Sequence, residues 1–508
     1  MKTLFSTLSL ATCLFALAAC GTNDGEVAGI EGTGDKADVV VARGTVTGFG
    51  SIYVNGVHFN TDTAVVTIDE VAAAEDELSV GMVVDVVGEL SASGREGVAH
   101  EINAERIVQG AVESVEDLAT GRKLVHILGQ RVFINEDASF DGIQFDDLMP
   151  GVHAQVSGFV AANGMITATH IERGDDAGRM MVDGYITAID QNTVSFALND
   201  LVVNAAQAVF VTGQLSQLQV GMRVKVQGRL NAATGHFDAE RVLLRVPREH
   251  GSHVGALEGV LRWRDDAQWW LGDTQLDLAS AEIENSSAAD LQAGAQVIAL
   301  GRMTDGILVA EKLIVKSLNT NRFKAPVATI DAQARTFTVL NTLIAVTDFT
   351  QFKDESLIHD RYFNFENLRV GEDVEVFAVR LGDQWQATKV VRRDYDGQRP
   401  EILRGRAVLT DGSRTFYIDD TAIDGGELGD EIWQQLRSQE HPLVVDVEGF
   451  STGDNQFLAT AIRIHALPDC DPQVFFRCDG DSDADMDDED EDDREGPPPV
   501  TGPPDMAR

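Results

Sequence analysis

The sequence predicts an all-β protein. It reads as a tandem array of about six small five-stranded barrels of OB-like design, between a disordered N-terminal tether and an acidic C-terminal tail. Three observations predict it. An eleven-residue phrase recurs as LSVGMVVDVVG (Leu78 to Gly88), LMPGVHAQVSG (Leu148 to Gly158) and LQVGMRVKVQG (Leu218 to Gly228). Weaker copies end at Gly301 and Ala378, and a remnant, LVVDVEG, ends at Gly449. A fixed period of this kind marks one unit copied along the chain. Each copy lies among short β-branched runs broken by Gly and Asn turns, the pattern of short strands. Finally, a unit of about 65 residues is marginal alone, which favours closed barrels that pack on one another.

The elements follow in order. Residues 1–19 have the form of a secretory leader: Met1-Lys2 is a basic start, and the apolar run from Leu4 to Ala19 is too short for a membrane span. It ends in Leu17-Ala18-Ala19-Cys20-Gly21, which resembles the lipobox of bacterial lipoproteins. The resemblance implies that Cys20 is lipidated and becomes the mature N-terminus. With Gly21 rather than Asp in second place, it also implies an outer-membrane destination. The bland alternative is an ordinary signal peptide with an incidental cysteine. Residues 20–41, rich in Gly, Asp, Glu and Thr, read as a flexible tether.

Module 1 spans 42–108. Its Asn55-Gly56 pair between β-rich flanks signals a type I′ hairpin. Val71 to Leu78 contains helix formers sufficient for two turns, and Met82, Val84 and Val86 place the phrase on a central strand, the fourth of five. Val98 to Ile107 supplies the last strand, closing on Ala104-Glu-Arg-Ile. The later copies close on Ala168-Thr-His-Ile, Ala239-Glu-Arg-Val, Ala310-Glu-Lys-Leu, Ala387-Thr-Lys-Val and Ala459-Thr-Ala-Ile. Modules 2 to 6 span 109–173, 180–246, 255–318, 323–394 and 402–466, with neighbours expected to pack in pairs. Polar hinges are expected at Gly174 to Gly178 and Pro247 to Val254, and longer loops or short helices at Lys353 to Asn364 and Leu428 to Pro442.

GFGSIYVNGVHFNT, the phrase L-x-V-G-M-x-V-x-V-x-G and the A-x-R-I strand together resemble the bacterial lipoprotein module known as domain of unknown function 5666. The resemblance is close over modules 1 to 3 and loose over 4 to 6. It implies an exported, repeated β-domain and carries no reaction or catalytic residue.

The chemistry visible in the sequence is sparse. Nucleophile elbows, phosphate loops, zinc-protease helices and kinase motifs are all missing, so the chain reads as non-enzymatic, with no catalytic residue and no cofactor. His250 and His253 are a close pair on a polar linker, but two ligands do not close a metal site. Trp263, Trp269 and Trp270 flank a turn, which makes Trp263 and Trp269 cross-strand neighbours and puts Trp270 on the other face. Such a cluster either fills a core or stacks on a ligand such as a sugar ring.

The tail, 467–508, holds Cys470 and Cys478, a disulfide pair by default in an oxidising compartment. After them Asp479, Asp481, Asp483, Asp485 and Asp487 alternate as calcium-loop ligands do, which raises weak Ca²⁺ binding against a plain solvated acidic tail. Ala484 stands where a calcium loop needs Gly. The net charge of −42, from 82 acidic and 40 basic residues, repels nucleic acid. The partners expected are the membrane, through the N-terminal lipid, and an envelope protein or polysaccharide on the periplasmic side or the cell surface.

Overall fold

In module 1, seven strand segments follow one another: β1 (Asp38–Phe49), β2 (Ile52–Val54), β3 (Val57–Asn60), β4 (Val65–Ile68), β5 (Val71–Ala72), β6 (Val83–Leu90) and β7 (Glu96–Ala104). β1 pairs antiparallel with β2 at one end and with β6 from Asp38 to Thr45. β2 and β3 form a hairpin, β3 lies parallel to β7, and β7 pairs antiparallel with β6. The circuit β1-β2-β3-β7-β6 returns to β1, so a five-strand ring closes, while the half of β1 before Val46 keeps one edge that β2 does not pair. β4 continues the third strand, parallel to β7 further along. Asn55 and Gly56 both have positive φ (52° and 77°), as the expected type I′ hairpin requires.

The computed structural model describes residues 38–118, 121–174, 179–245, 253–264, 268–286, 291–317, 320–394, 400–410, 413–438, 443–453 and 455–465. Over these the chain is all-β with one α-helix, α1 (Asp430–Arg437), and the pairing circuit of module 1 recurs in five further units. In module 5 the first strand is split at Pro326. Asn321–Pro326 pairs with the fourth strand and Thr329–Asp331 with the second. A proline has no N–H to give the ladder, so the break falls there.

The repeated phrase is the fourth strand together with the turn that leads into it. Leu78, Val80, Met82, Val84 and Val86 are buried in the module 1 core. Gly81 takes φ 91°, and its N–H donates to the Val46 carbonyl (2.8 Å) while the Met82 carbonyl accepts from Val46 N–H (2.9 Å). The same bond, also 2.8 Å, joins Gly151 to Val112, Gly221 to Ile186, Gly294 to Leu261 and Gly371 to Val327. The closing glycine marks a β-bulge. A Cβ on Gly88 would lie 2.2 Å from the Val98 carbonyl oxygen, and one on Gly228 would lie 2.2 Å from that of Asp238. Module 5 carries Ala378 at the same bulge.

Two local expectations are corrected. Val71 to Leu78 is not two turns of helix: β5 takes Val71–Ala72, and Glu75–Glu77 makes a single 3₁₀ turn. The turn stops because Leu78 must return to extended backbone (φ −75°, ψ 146°) to bury its side chain. The last strand of module 1 ends at Ala104, before Glu105-Arg-Ile, and the residue opposite the Gly88 bulge is Ala99. Ala168, Ala239, Ala310, Ala387 and Ala459 hold the equivalent place in the other units, because only a small residue fits beside the bulge. Of the expected insertions, the second contains α1, with Trp433 and Leu436 buried against the module 6 ring.

Rings are joined edge to edge in three pairs. Modules 2 and 3 pair antiparallel through Val108↔Val182, and modules 5 and 6 through Phe323↔Leu403. Each pair shares one continuous buried cluster. Module 1, in contrast, skips its neighbours. β1 runs parallel to the first strand of module 4, His253–Arg264, from Val40↔Val254 to Arg43↔Leu257. The Asn55 amide seals this joint, donating to the carbonyls of Arg43 (2.9 Å) and Ala256 (2.7 Å). A small cluster of Val83, Phe159, Ala161 and Val260 then ties modules 1, 2 and 4 together.

Candidate functional site

The residues with the most unusual environments lie between rings. Their origin is a register rule. In four modules the directly opposed outward residues of the first and fourth strands are charged: Arg43↔Asp85, Asp183↔Lys225, Lys324↔Glu375 and Arg404↔Asp446; modules 2 and 4 have Gln109↔Gln155 and Glu258↔Ile298 there. On an isolated barrel these would be solvated. Here Asp183, Lys225, Glu375, Arg404 and Asp446 are buried and Arg43, Asp85 and Lys324 half-buried, so the buried ones must find partners or remain unpaired in a low dielectric.

They find partners across modules. Asp183 accepts from Arg223 Nε (2.7 Å) and Arg245 Nε (3.0 Å), and Arg245 Nη2 reaches Glu105 (2.9 Å). Burial pushes the Asp183 and Glu105 carboxyls up. The guanidiniums of Arg223 and Arg245 for the first, and of Arg43 and Arg245 for the second, outweigh it and hold both below the usual range. Lys225, 1% exposed in its side chain, reaches from module 3 to Asp69 of module 1 (2.7 Å). Arg106 links the same Asp69 (3.0 Å) to Glu172 of module 2 (3.1 Å). Glu258 of module 4 accepts from Thr45 N–H of module 1 (2.8 Å), Gln296 (2.9 Å) and Lys316 (2.6 Å). Arg361 of module 5 lies 3.5 Å over the Phe49 ring and donates to the Leu78 carbonyl (2.7 Å), both in module 1.

Two of the third residues in the A-x-(basic)-(aliphatic) strands are buried. His170 donates from Nδ1–H to the Val80 carbonyl (3.1 Å), with Asp141 3.6 Å from Nε2. Burial pulls its pKa down to about 4 against the pull of Asp141, so the ring is neutral. Lys389 donates to the carbonyls of Asp137 (3.2 Å) and Ala138 (2.8 Å) across the module 2–5 boundary. Burial, with Lys353 adding repulsion, pulls its ammonium down to about 8. Lys389 also lines a cavity of about 200 Å³ bordered by modules 2, 4 and 5.

The tryptophans lie in module 4. Trp263 and Trp269 are direct cross-strand partners with edge-on rings 4.8 Å apart, and Trp269 is buried in the ring's core. Trp270, on the other face, stacks on the Arg264 guanidinium at 3.8 Å. Cys20, Cys470, Cys478, His250 and the aspartates 479, 481, 483, 485 and 487 lie outside the described residues. Among the described residues no group of three or more His, Cys, Asp or Glu is arranged to hold a metal ion. Sequence reasoning missed the inter-ring network and Lys389. The A-x-(basic) pattern was visible, but Arg241 at the same place in module 3 is exposed, and the motif does not separate the two.

The fold and this network define a repeat protein built of fused β-rings. Residues 43–103, 109–172, 183–242 and 324–391 each match a family model described as "Domain of unknown function (DUF5666)". The chain therefore carries repeated modules resembling that domain, and modules 4 and 6 add the same pairing circuit without a match. No curated protein matches the chain. Among solved structures, one titled "drosophila Unr CSD456" aligns over 42% of this chain and 98% of its own, with 14% identity and a TM-score of 0.13.

Proposed function

We propose that this chain is a non-enzymatic lipoprotein of the cell envelope, tethered to the outer membrane through Cys20, whose fused rings bind or space other envelope components. The observation that supports it most is the joint between modules 1 and 4. Parallel pairing of β1 with residues 253–264, sealed by Asn55 and Glu258, makes the modules one preassembled body. Such a body offers its outer faces to a protein or a polysaccharide, without the ordering cost that loose modules would pay on binding. Nucleic acid is not among the expected partners, given the charge of −42. Proximity cross-linking in the intact envelope tests this reading. A recurrent protein or glycan partner supports it, and a Cys20→Ala chain that stays with the membrane would remove the tether.

A second reading is a ligand-binding lipoprotein, for a glycan or, in the acidic tail, for Ca²⁺. The cavity between modules 2, 4 and 5 favours the glycan form. For the tail, calorimetry on residues 467–508 that gives no heat with excess Ca²⁺ would remove the cation form.

A further inference from the structure

The cavity between modules 2, 4 and 5 differs in character from the rest of this acidic protein. Its apolar wall includes Ile298 and Ile314 of module 4. Gln351 and Gln386 of module 5 also line it, and their amides have no hydrogen-bond partner among the described residues. Lys389 and Lys316 supply two cations.

The charge balance is what points to a ligand. An ammonium has three protons to give. Lys389 gives two of them to the Asp137 and Ala138 carbonyls, and among the described residues no carboxylate takes the third. The glutamates around Lys389 and Lys316 are already engaged, Glu355 with Lys353 (3.3 Å) and Arg393. Glu258 holds Lys316 (2.6 Å), Gln296 and Thr45, and Glu284 holds Lys312 (2.6 Å). Asp137 is the remaining carboxyl in the lining. Burial pushes it up towards its neutral form against the pull of Lys389, Lys316 and Arg122. An anionic group in the cavity would complete the Lys389 shell. Free amides that both donate and accept suit vicinal hydroxyls, and the isoleucines suit the C–H face of a ring.

We propose that this inter-module cavity is a binding site for a single carboxylated sugar unit, with Lys389 taking the carboxylate and Gln351 and Gln386 the hydroxyls. The site exists only because modules 2, 4 and 5 meet, so no isolated barrel would have it. The inference deepens the glycan form of the ligand-binding reading and rests on it. It does not rest on the lipid tether.

The test is titration of the full chain with D-glucuronate, glucose and acetate, followed by NMR or calorimetry. Glucuronate is expected to bind at least about tenfold more tightly than either of the others, the margin of one charge-assisted hydrogen bond. Lys389→Met is expected to lose at least about tenfold in glucuronate affinity. Should that variant fail to fold, Gln386→Leu, at a half-exposed position, is expected to keep the melting temperature and weaken glucuronate several-fold. Wild-type affinity is also expected to fall as pH rises through about 8, where Lys389, facing Lys353, Glu355, Asp137 and Arg393, loses its proton.

Equal binding of glucose overturns the requirement for an acid. Equal binding of acetate overturns the sugar, and no glucuronate binding at tens of millimolar overturns the site. Folded variants that bind like the wild type overturn it as well. Loss of this site with envelope partners still captured would leave the scaffold reading intact. Glucuronate binding without any captured partner would do the reverse.

Discussion

Arg404 and Asp446 face each other across the first and fourth strands of module 6, with Nη2 2.7 Å from Oδ2, and the same guanidinium crosses to Glu136 of module 2. Arg404 is 4% exposed in its side chain, so one buried cation serves a strand pair and a joint between modules that are far apart in sequence. Such an arrangement adds little net stability compared with an apolar core, but it is costly to break halfway. Removing Arg404 leaves two carboxylates under cover. Arg404→Ala is expected to cost about 3–5 kcal/mol, measured by urea unfolding of the full chain.

His170 gives the fold an acid limit. Its folded pKa, about 4, lies below the ordinary 6.5. Between these values the unfolded chain binds a proton that the folded site refuses. Stability is therefore complete above pH 6.5 and declines as pH falls towards 4, by on the order of 3 kcal/mol from this one group. Asp141 and the Val80 carbonyl favour its charged form, and Lys353 and Arg106 oppose it. Melting temperatures from pH 8 to 4 should show the decline, and His170→Gln should flatten it.

The closing glycine of the phrase is a packing requirement. Gly88→Ala puts a Cβ 2.2 Å from the Val98 carbonyl oxygen and is expected to destabilise by about 1–3 kcal/mol. The reverse change in module 5, Ala378→Gly, removes a Cβ that the bulge already accommodates and should cost only about 0.5–1 kcal/mol. Chemical denaturation of the two single variants, side by side, checks the asymmetry.

The two faces of the tryptophan hairpin should separate in the same assay. Trp269 lies in the module 4 core and Trp270 outside it against Arg264. Trp269→Ala is expected to cost about 3–5 kcal/mol, and Trp270→Ala clearly less.

What the sequence made legible follows from short-range physics. The Asn55-Gly56 hairpin, the phrase as fourth strand and the Trp263↔Trp269 pairing were all readable, because turn residues and period-two burial act within a few residues. The Ala99 register was not. Ala104-Glu-Arg-Ile copies the motif of other modules, and only the Val98 carbonyl beside Gly88 shows which alanine faces the bulge. The partner of module 1 was not legible either. β1 carries the alternation of any half-covered strand, and nothing in Val40 to Arg43 specifies residues 254–257 of module 4 over a neighbour in sequence. The cavity escaped for the same reason. Lys389 and Arg241 occupy equivalent motif positions and differ only in which ring lies over them.

The central claim is that the six rings form one body instead of a string, and small-angle X-ray scattering on residues 37–465 tests it most directly. A compact body of that length has a radius of gyration of about 22 Å. Six barrels in a line, each about 28 Å across, would give about 50 Å. A value near the first, unchanged by moderate salt, is the result expected from the buried inter-ring pairs. A value near the second would contradict the pairing of β1 with module 4, and with it the assembled body on which the proposed function and the cavity depend.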